Sequence, residues 1–184
     1  GIVHCDIKPN NFLVKCIDPL EISLSDFEFS TQLMNNESIK TDFLRGTPQY
    51  MAPEMLNYMH YRQPIDIWSL GIMIYKFAFN RFPFNIRNDD NIETITTKIN
   101  KKIRISAIGR NPRPILEKQF YDLIKKMLDF DPDQRITAVD ALHHEFFNGY
   151  VELEEDTAQV KDDLTSVQTE QANTEKYKEG HENV

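Results

Sequence analysis

Three stretches of the chain carry apolar residues at intervals of three and four, the spacing that gathers them on one face of a helix. The strongest covers residues 63–79, and narrower stripes cover residues 91–103 and 116–130. The last stripe stops before Pro132, because proline cannot continue a helix. Beyond it, Thr137 and Asp140 resemble a capping box and predict a final helix that ends at Phe147. This pattern predicts a mainly α-helical protein.

The first part of the chain has a different pattern. Residues 11–15 and 21–25 are short apolar runs on either side of a turn at Asp18-Pro19, and they predict two small strands. Residues 27–45 are polar and have no period, which is typical of a long functional loop. Residues 52–56 predict a short helix.

Composition divides the chain into two parts. Of its 184 residues, 40% are hydrophobic and the net charge is −8, but ten acidic and only three basic residues lie after position 150. Residues 1–149 are therefore predicted to form one nearly neutral domain, without the basic surface that nucleic acid requires. Residues 150–184 contain few apolar residues, so we predict an acidic tail that is disordered or loosely helical. An acidic regulatory tail is the alternative.

Two further observations limit the setting of the protein. The apolar run at residues 65–79 is too short and too charged to cross a membrane. The only cysteines, Cys5 and Cys16, do not form a disulfide framework. Both observations favour a reduced, cytoplasmic or nuclear protein without a membrane partner.

Candidate chemistry is concentrated in H-C-D-I-K-P-N-N-F-L-V at residues 4–14 and D-F-E at residues 26–28. Phosphoryl transfer needs a carboxylate that accepts a hydroxyl proton and a cation beside the moving phosphoryl group. Asp6 and Lys8 have these properties. Asn11 and Asp26 can supply the hard oxygen ligands that magnesium prefers. These residues point to phosphoryl transfer from a nucleotide.

The spacing D-x-K-x-x-N followed by D-F-x resembles the catalytic and metal-binding loops of eukaryotic-type protein kinases. Lys8, two residues after the aspartate, is typical of the Ser/Thr type. Three later segments resemble kinase segments in the family's order: G-T-P-Q-Y-M-A-P-E at 46–54, D-I-W-S-L-G at 66–71 and L-D-F-D-P-D-Q-R-I at 128–136. The resemblance extends over residues 1–149.

The resemblance implies the helical C-terminal lobe of a protein kinase, with short β-hairpins at the catalytic and metal loops and no N-lobe. It implies transfer of the ATP γ-phosphate to a serine or threonine of a protein substrate, with ATP and Mg²⁺ as cofactors. Asp6 would be the catalytic base, Lys8 would contact the transferred phosphate, and Thr47 would help to seat the substrate hydroxyl. Asn11 and Asp26 would bind magnesium.

The resemblance also implies two scaffold contacts. Glu54 and Arg135 would form an ion pair beneath the activation segment, and Asp66 would hold the backbone of the catalytic loop. A buried charge needs such a partner because a lone one is costly.

Several positions depart from the family. In the family, an arginine and a second basic residue usually bind a phosphate on the activation loop. Here Cys5 stands in place of the arginine and Thr31 in place of the second basic residue, and Phe43 replaces the residue that usually carries the phosphate. We therefore expect no activation by that phosphate. Ser38 and Thr41 remain possible acceptors, but no arginine is predicted to bind them.

Glu28 stands where glycine is usual and adds a negative charge beside the candidate metal site. Asn10 and Lys76 replace acidic residues typical of kinases that prefer basic peptides, so we expect a substrate that is not strongly arginine-directed. No G-x-G-x-x-G loop is present, and we expect the N-lobe to belong to a longer protein. The alternative is a weak pseudokinase, or a kinase-like scaffold that acts by binding proteins.

Overall fold

The computed structural model describes residues 1–34, 37–40, 43–100 and 118–148. The chain divides into two units, Gly1–Phe146 and Phe147–Val184. The tail predicted for residues 150–184 lies outside the described residues, as do Thr41 and the predicted helical residues 101–103 and 116–117.

Five α-helices occur in the described ranges, close to the predicted positions: α1 Pro53–Leu56, α2 Pro64–Phe79, α3 Ile92–Asn100, α4 Lys118–Met127 and α5 Ala138–Leu142. The long apolar run forms α2, whose Trp68 and Ile72 are fully buried. Asn80 ends α2 in the left-handed conformation, with its N–H bonded to the Lys76 carbonyl at 2.8 Å. The prediction of a central buried helix is confirmed.

The last helix is shorter than predicted. Thr137 caps α5 by accepting a hydrogen bond from the Asp140 N–H at 3.1 Å, as the capping pattern indicated. The helix nevertheless ends at Leu142, and a separate 3₁₀ turn covers Glu145–Phe147. The ring of His144 accepts the N–H of Phe146 at 3.2 Å, so that N–H does not continue the α-helical ladder.

Two small antiparallel sheets accompany the helices. The predicted hairpin is present as β2 (Phe12–Ile17) and β3 (Leu20–Leu24). The other sheet pairs β1 (Ile2–Val3) with β4 (Thr31–Gln32). The sequence did not predict β4, which lies in the segment interpreted as a continuous loop, because its pairing depends on a partner about 29 residues away.

A buried ion pair joins α1 to the segment before α5. The two terminal nitrogens of Arg135 donate to the two carboxylate oxygens of Glu54 at 2.7 and 3.1 Å. The same guanidinium also donates to the carbonyl oxygens of Pro64 at 2.8 Å and Asp129 at 2.9 Å, and it lies 5.2 Å from the ring centroid of Trp68. The predicted Glu54–Arg135 pair is confirmed. None of the helices described is long and apolar enough to span a membrane.

Candidate active site

The central helix holds the backbone of the candidate catalytic loop. The Asp66 carboxylate, in the first turn of α2, accepts the N–H of His4 at 2.7 Å and the N–H of Cys5 at 3.0 Å. Burial raises the pKa of Asp66, although these two hydrogen bonds act in the opposite direction. The predicted contact between Asp66 and this loop is confirmed.

Four of the five predicted site residues lie together around one carboxylate. Lys8 Nζ donates to Asp6 Oδ2 at 2.6 Å, and Thr47 Oγ1 donates to Asp6 Oδ1 at 2.8 Å. Lys8 Nζ also donates to Thr47 Oγ1 at 3.0 Å, which closes a triangle of contacts. Asn11 Nδ2 donates to the main-chain oxygen of Asp6 at 2.8 Å and to its Oδ2 at 3.4 Å. The fold therefore fixes the orientation of this carboxylate from three sides.

The surroundings of Asp6 favour its charged form. Its side chain is only 2% exposed, and burial alone would raise the pKa of this carboxyl. The hydrogen bonds from Lys8 and Thr47, the charge of Lys8 and the hydrogen bond from Asn11 outweigh burial and hold the pKa below its usual value. Asp6 is therefore an ionised, oriented hydrogen-bond acceptor at neutral pH.

The residue before Asp6 has an unusual backbone and a buried thiol with a raised pKa. Cys5 has a φ of 69°, in the left-handed region that ordinary residues seldom occupy. Burial, and then the negative charge of Asp66, raise the pKa of its thiol to about 12. Gly46 (φ 100°) lies against this turn, where a Cβ atom would collide with the Cys5 carbonyl oxygen. A glycine at this position lets the neighbouring Thr47 reach Asp6.

Asn11 and Asp26 carry oxygen donors of the kind that magnesium prefers. The N–H and hydroxyl of Ser25 donate to the Asn11 carbonyl at 2.8 and 3.0 Å, which tethers the residue before Asp26 to the catalytic loop. The Asn11 amide nitrogen is used by Asp6, and no donor contacts its side-chain oxygen in the described part of the chain. Asp26 is exposed and, within the same ranges, makes no hydrogen bond to the Asp6 cluster.

The side chains of Asn11 and Asp26 alone would leave a magnesium coordination sphere incomplete. No group of three or more His, Cys, Asp or Glu residues that could hold a metal occurs among the described residues. Magnesium commonly takes one or two protein ligands and completes its sphere with water and substrate phosphates.

An aromatic cage around Lys76 was not predicted from the sequence. Lys76 Nζ lies 4.3 Å from the ring centroid of Phe82 and 3.3 Å from the Tyr50 hydroxyl. Ser69 donates to the Tyr50 carbonyl at 2.8 Å and so fixes the short turn that follows Thr47. The cage escaped prediction because Tyr50 and Lys76 are 26 residues apart and no local pattern links them.

The protein kinase domain matches this sequence over residues 1–147. The chain therefore belongs to the protein kinase family, and the fold described above is part of a kinase domain.

Relatives of the chain are protein kinases, and two of the three named here are serine/threonine-protein kinases. The chain is 33% identical over 146 residues to serine/threonine-protein kinase ULK3 of Xenopus laevis, covering 79% of this chain and 30% of the relative. It is 32% identical over 153 residues to serine/threonine-protein kinase D3 of Mus musculus, covering 82% and 16%. It is 32% identical over 154 residues to calcium/calmodulin-dependent protein kinase type I of Schizosaccharomyces pombe, covering 80% and 43%. The chain thus spans less than half the length of each of these relatives.

Proposed function

We propose that the full-length protein transfers the γ-phosphate of ATP to a serine or threonine hydroxyl of a protein substrate. The observation that carries this proposal is the Asp6 carboxylate, which accepts hydrogen bonds from Lys8 at 2.6 Å, Thr47 at 2.8 Å and Asn11 at 3.4 Å. Such an acceptor can orient a hydroxyl nucleophile and take its proton. The two free cysteines favour a cytoplasmic or nuclear setting for this activity.

Each residue of the site has a proposed role. Asp6 accepts the proton of the substrate hydroxyl, and Thr47 helps to seat that hydroxyl beside the carboxylate. Lys8 has three donors and contacts the transferred phosphate from its position between Asp6 and Thr47. Asn11 and Asp26 hold magnesium, which neutralises charge on the phosphate oxygens when it is bound.

The β2–β3 hairpin supports the proposal that this chain is the C-terminal lobe and that another lobe covers it. Its exposed apolar side chains include Ile17 at 84% and Leu20 at 65%, and three more exceed half exposure: Leu13, Val14 and Ile22. An exposed apolar cluster of this kind marks a contact surface. We assign it to the nucleotide-binding N-lobe of the full-length kinase.

The substrate is proposed to be a peptide that is not strongly arginine-directed. The half-buried ammonium of Lys76 faces two aromatic rings and has no carboxylate within ion-pair distance among the described residues. It lies beside Tyr50, in the turn that follows Thr47. A cation beside Tyr50 repels an arginine of the peptide substrate and is compatible with an acidic residue of the substrate. Asn10 is exposed and uncharged, so it adds no attraction for arginine.

A second candidate function rests on Glu28. Glu28 and Asp26 are both exposed, and Glu28 adds a negative charge two residues after Asp26. A changed metal site would weaken ATP binding and leave a pseudokinase or kinase-like scaffold that acts by binding proteins.

One comparison separates the two functions. Full-length wild-type protein and Asp6→Asn are assayed for phosphate transfer to protein substrates with ATP and Mg²⁺. Loss of the base is expected to lower the rate by about 10²- to 10⁴-fold. Asp90→Asn is the matched control, because Asp90 also accepts from a lysine, Lys98, at 2.6 Å, but outside the site. The control should retain its rate.

Equal rates for wild type and Asp6→Asn would show that Asp6 is not the base. An inactive wild type that also fails to bind ATP would favour the scaffold function.

A further inference from the structure

The segment between Asp26 and Thr47 is attached to the residues that precede α2. Ile39 and Tyr61 exchange both main-chain hydrogen bonds, Ile39 N–H to Tyr61 O at 2.8 Å and Tyr61 N–H to Ile39 O at 3.1 Å. Both side chains are buried, with 8% and 4% exposure. This antiparallel bridge therefore fixes the register of the two segments on the core.

The bridge places a serine opposite an arginine. In an antiparallel pair, the residues on either side of a bridge face each other, and their side chains lie on the same face. Ser38 is thus opposite Arg62. Ser38 Oγ lies 3.1 Å from His60 Nδ1, and all three side chains are exposed and line one open cavity of about 290 Å³.

We propose that Ser38 is a phosphorylation site whose phosphate is bound by Arg62 and His60. A protein serine kinase transfers the group from ATP. The Ser38 oxygen bonds to the γ-phosphorus, the bond from that phosphorus to the β,γ-bridging oxygen breaks, ADP leaves, and the hydroxyl proton passes to the base of that kinase. Arginine binds phosphate through parallel N–H donors. Arg62, in the residues before α2, therefore supplies the phosphate-binding cation that is missing at Cys5.

The ion pair of Arg62 with Asp133 does not prevent Arg62 from binding the phosphate. Arg62 donates to Asp133 at 3.1 Å, in a pair whose side chains are 47% and 71% exposed. Exposed ion pairs contribute little, whereas a phosphoserine carries about −1.5 to −2 charges at neutral pH. Asp133 lines the same cavity and repels the phosphate. The phosphate should therefore compete with Asp133 for Arg62.

The consequence is a stronger attachment of this segment to the residues before α2. Opening of the Ile39–Tyr61 bridge would have to separate the phosphate from Arg62 and His60. One to three charge-assisted hydrogen bonds form when a phosphate meets such a cluster. Solvent screening reduces their effect at an exposed site, and we expect bridge opening to be about tenfold rarer.

The test is amide hydrogen exchange at Ile39 and Tyr61 in the full-length protein, with and without phosphoserine incorporated at position 38. The modified protein should exchange about tenfold more slowly at both amides. Arg62→Gln combined with His60→Gln should abolish that protection, and Asp133→Asn should increase it. Phosphoserine at position 23, on β3, is the control and should leave the bridge unchanged.

Equal exchange in the modified and unmodified proteins would overturn the proposal, as would protection that survives the double substitution. Mass spectrometry of the protein purified from its own cells, with phosphatase inhibitors, should detect phosphate on Ser38, and its absence there would also overturn the proposal. Neither readout depends on phosphate transfer by this protein, so failure here is distinguishable from failure of the proposed function.

Discussion

Replacement of Arg135 by methionine should strongly destabilise the protein. The guanidinium is fully buried, at 0% exposure, and Glu54 is only 4% exposed. Methionine fills a similar volume, but it leaves the Glu54 carboxylate buried without a cation. It also leaves the carbonyls of Pro64 and Asp129 without the donors that they have now.

The expected magnitude follows from these contacts. Removal of one partner from a buried ion pair costs about 3–5 kcal/mol. Loss of the hydrogen bonds to the part-buried carbonyls of Pro64 and Asp129 adds about 0.5–1.5 kcal/mol each. Since whole domains are stable by only about 5–15 kcal/mol, Arg135→Met should remove a large share of the free energy of unfolding. Changing Glu54 to methionine as well should be less costly than the sum of the two single changes, because neither charge then remains buried alone.

Urea unfolding of the full-length protein, followed by circular dichroism, measures these differences. Arg62→Met is the matched control, because Arg62 pairs with Asp133 at the exposed surface and should contribute less than about 1 kcal/mol. The reasoning would be refuted if Arg135→Met and Arg62→Met had equal stability. Strict additivity of the Glu54 and Arg135 changes would contradict the stated coupling between the two charges.

Three further predictions concern the site. The lowered pKa of Asp6 stabilises the folded protein above the unfolded pKa of this carboxyl, and this stability is lost as pH falls through the folded pKa. Lys8→Met raises the folded pKa of Asp6, so acid unfolding followed by circular dichroism should begin at higher pH. An unchanged midpoint would contradict this. With a thiol pKa of about 12, Cys5 should resist iodoacetamide at pH 8 until urea is added, whereas the partly exposed Cys16 should react at once. Mass spectrometry of the labelled peptides measures this difference. Equal labelling of the two cysteines in the native protein would contradict the prediction. Lys76→Glu should shift peptide-array preference towards arginine at one substrate position by about tenfold, and an identical profile would refute the proposed role of that lysine.

The sequence predicted the helices well because their signal is local. The apolar run of α2 and the capping pattern before α5 can be seen within a few residues, and both elements are present. The end of α5 was wrong, because the ring of His144 takes a main-chain N–H that a continuous helix would have used. The strand β4 was missed because two residues carry no usable period.

The candidate site shows the same division. Motif spacing singled out Asp6, Lys8, Asn11, Thr47 and Asp26, and the fold brings the first four together. Their functional roles stay predictions until transfer is measured. The aromatic cage of Lys76 could not be predicted, because its members meet only through folding.

By itself, the sequence determined the family, the order of the helices and the residues with suitable chemistry, since each of these is written in short patterns along the chain. Only the tertiary structure decided how those residues meet. Thr47 reaches Asp6 across 41 residues, Arg135 reaches Glu54 across 81, and Ser38 faces Arg62 because a bridge at Ile39 sets the register. Contacts of this kind depend on the packing of the whole core around α2, which no local pattern specifies.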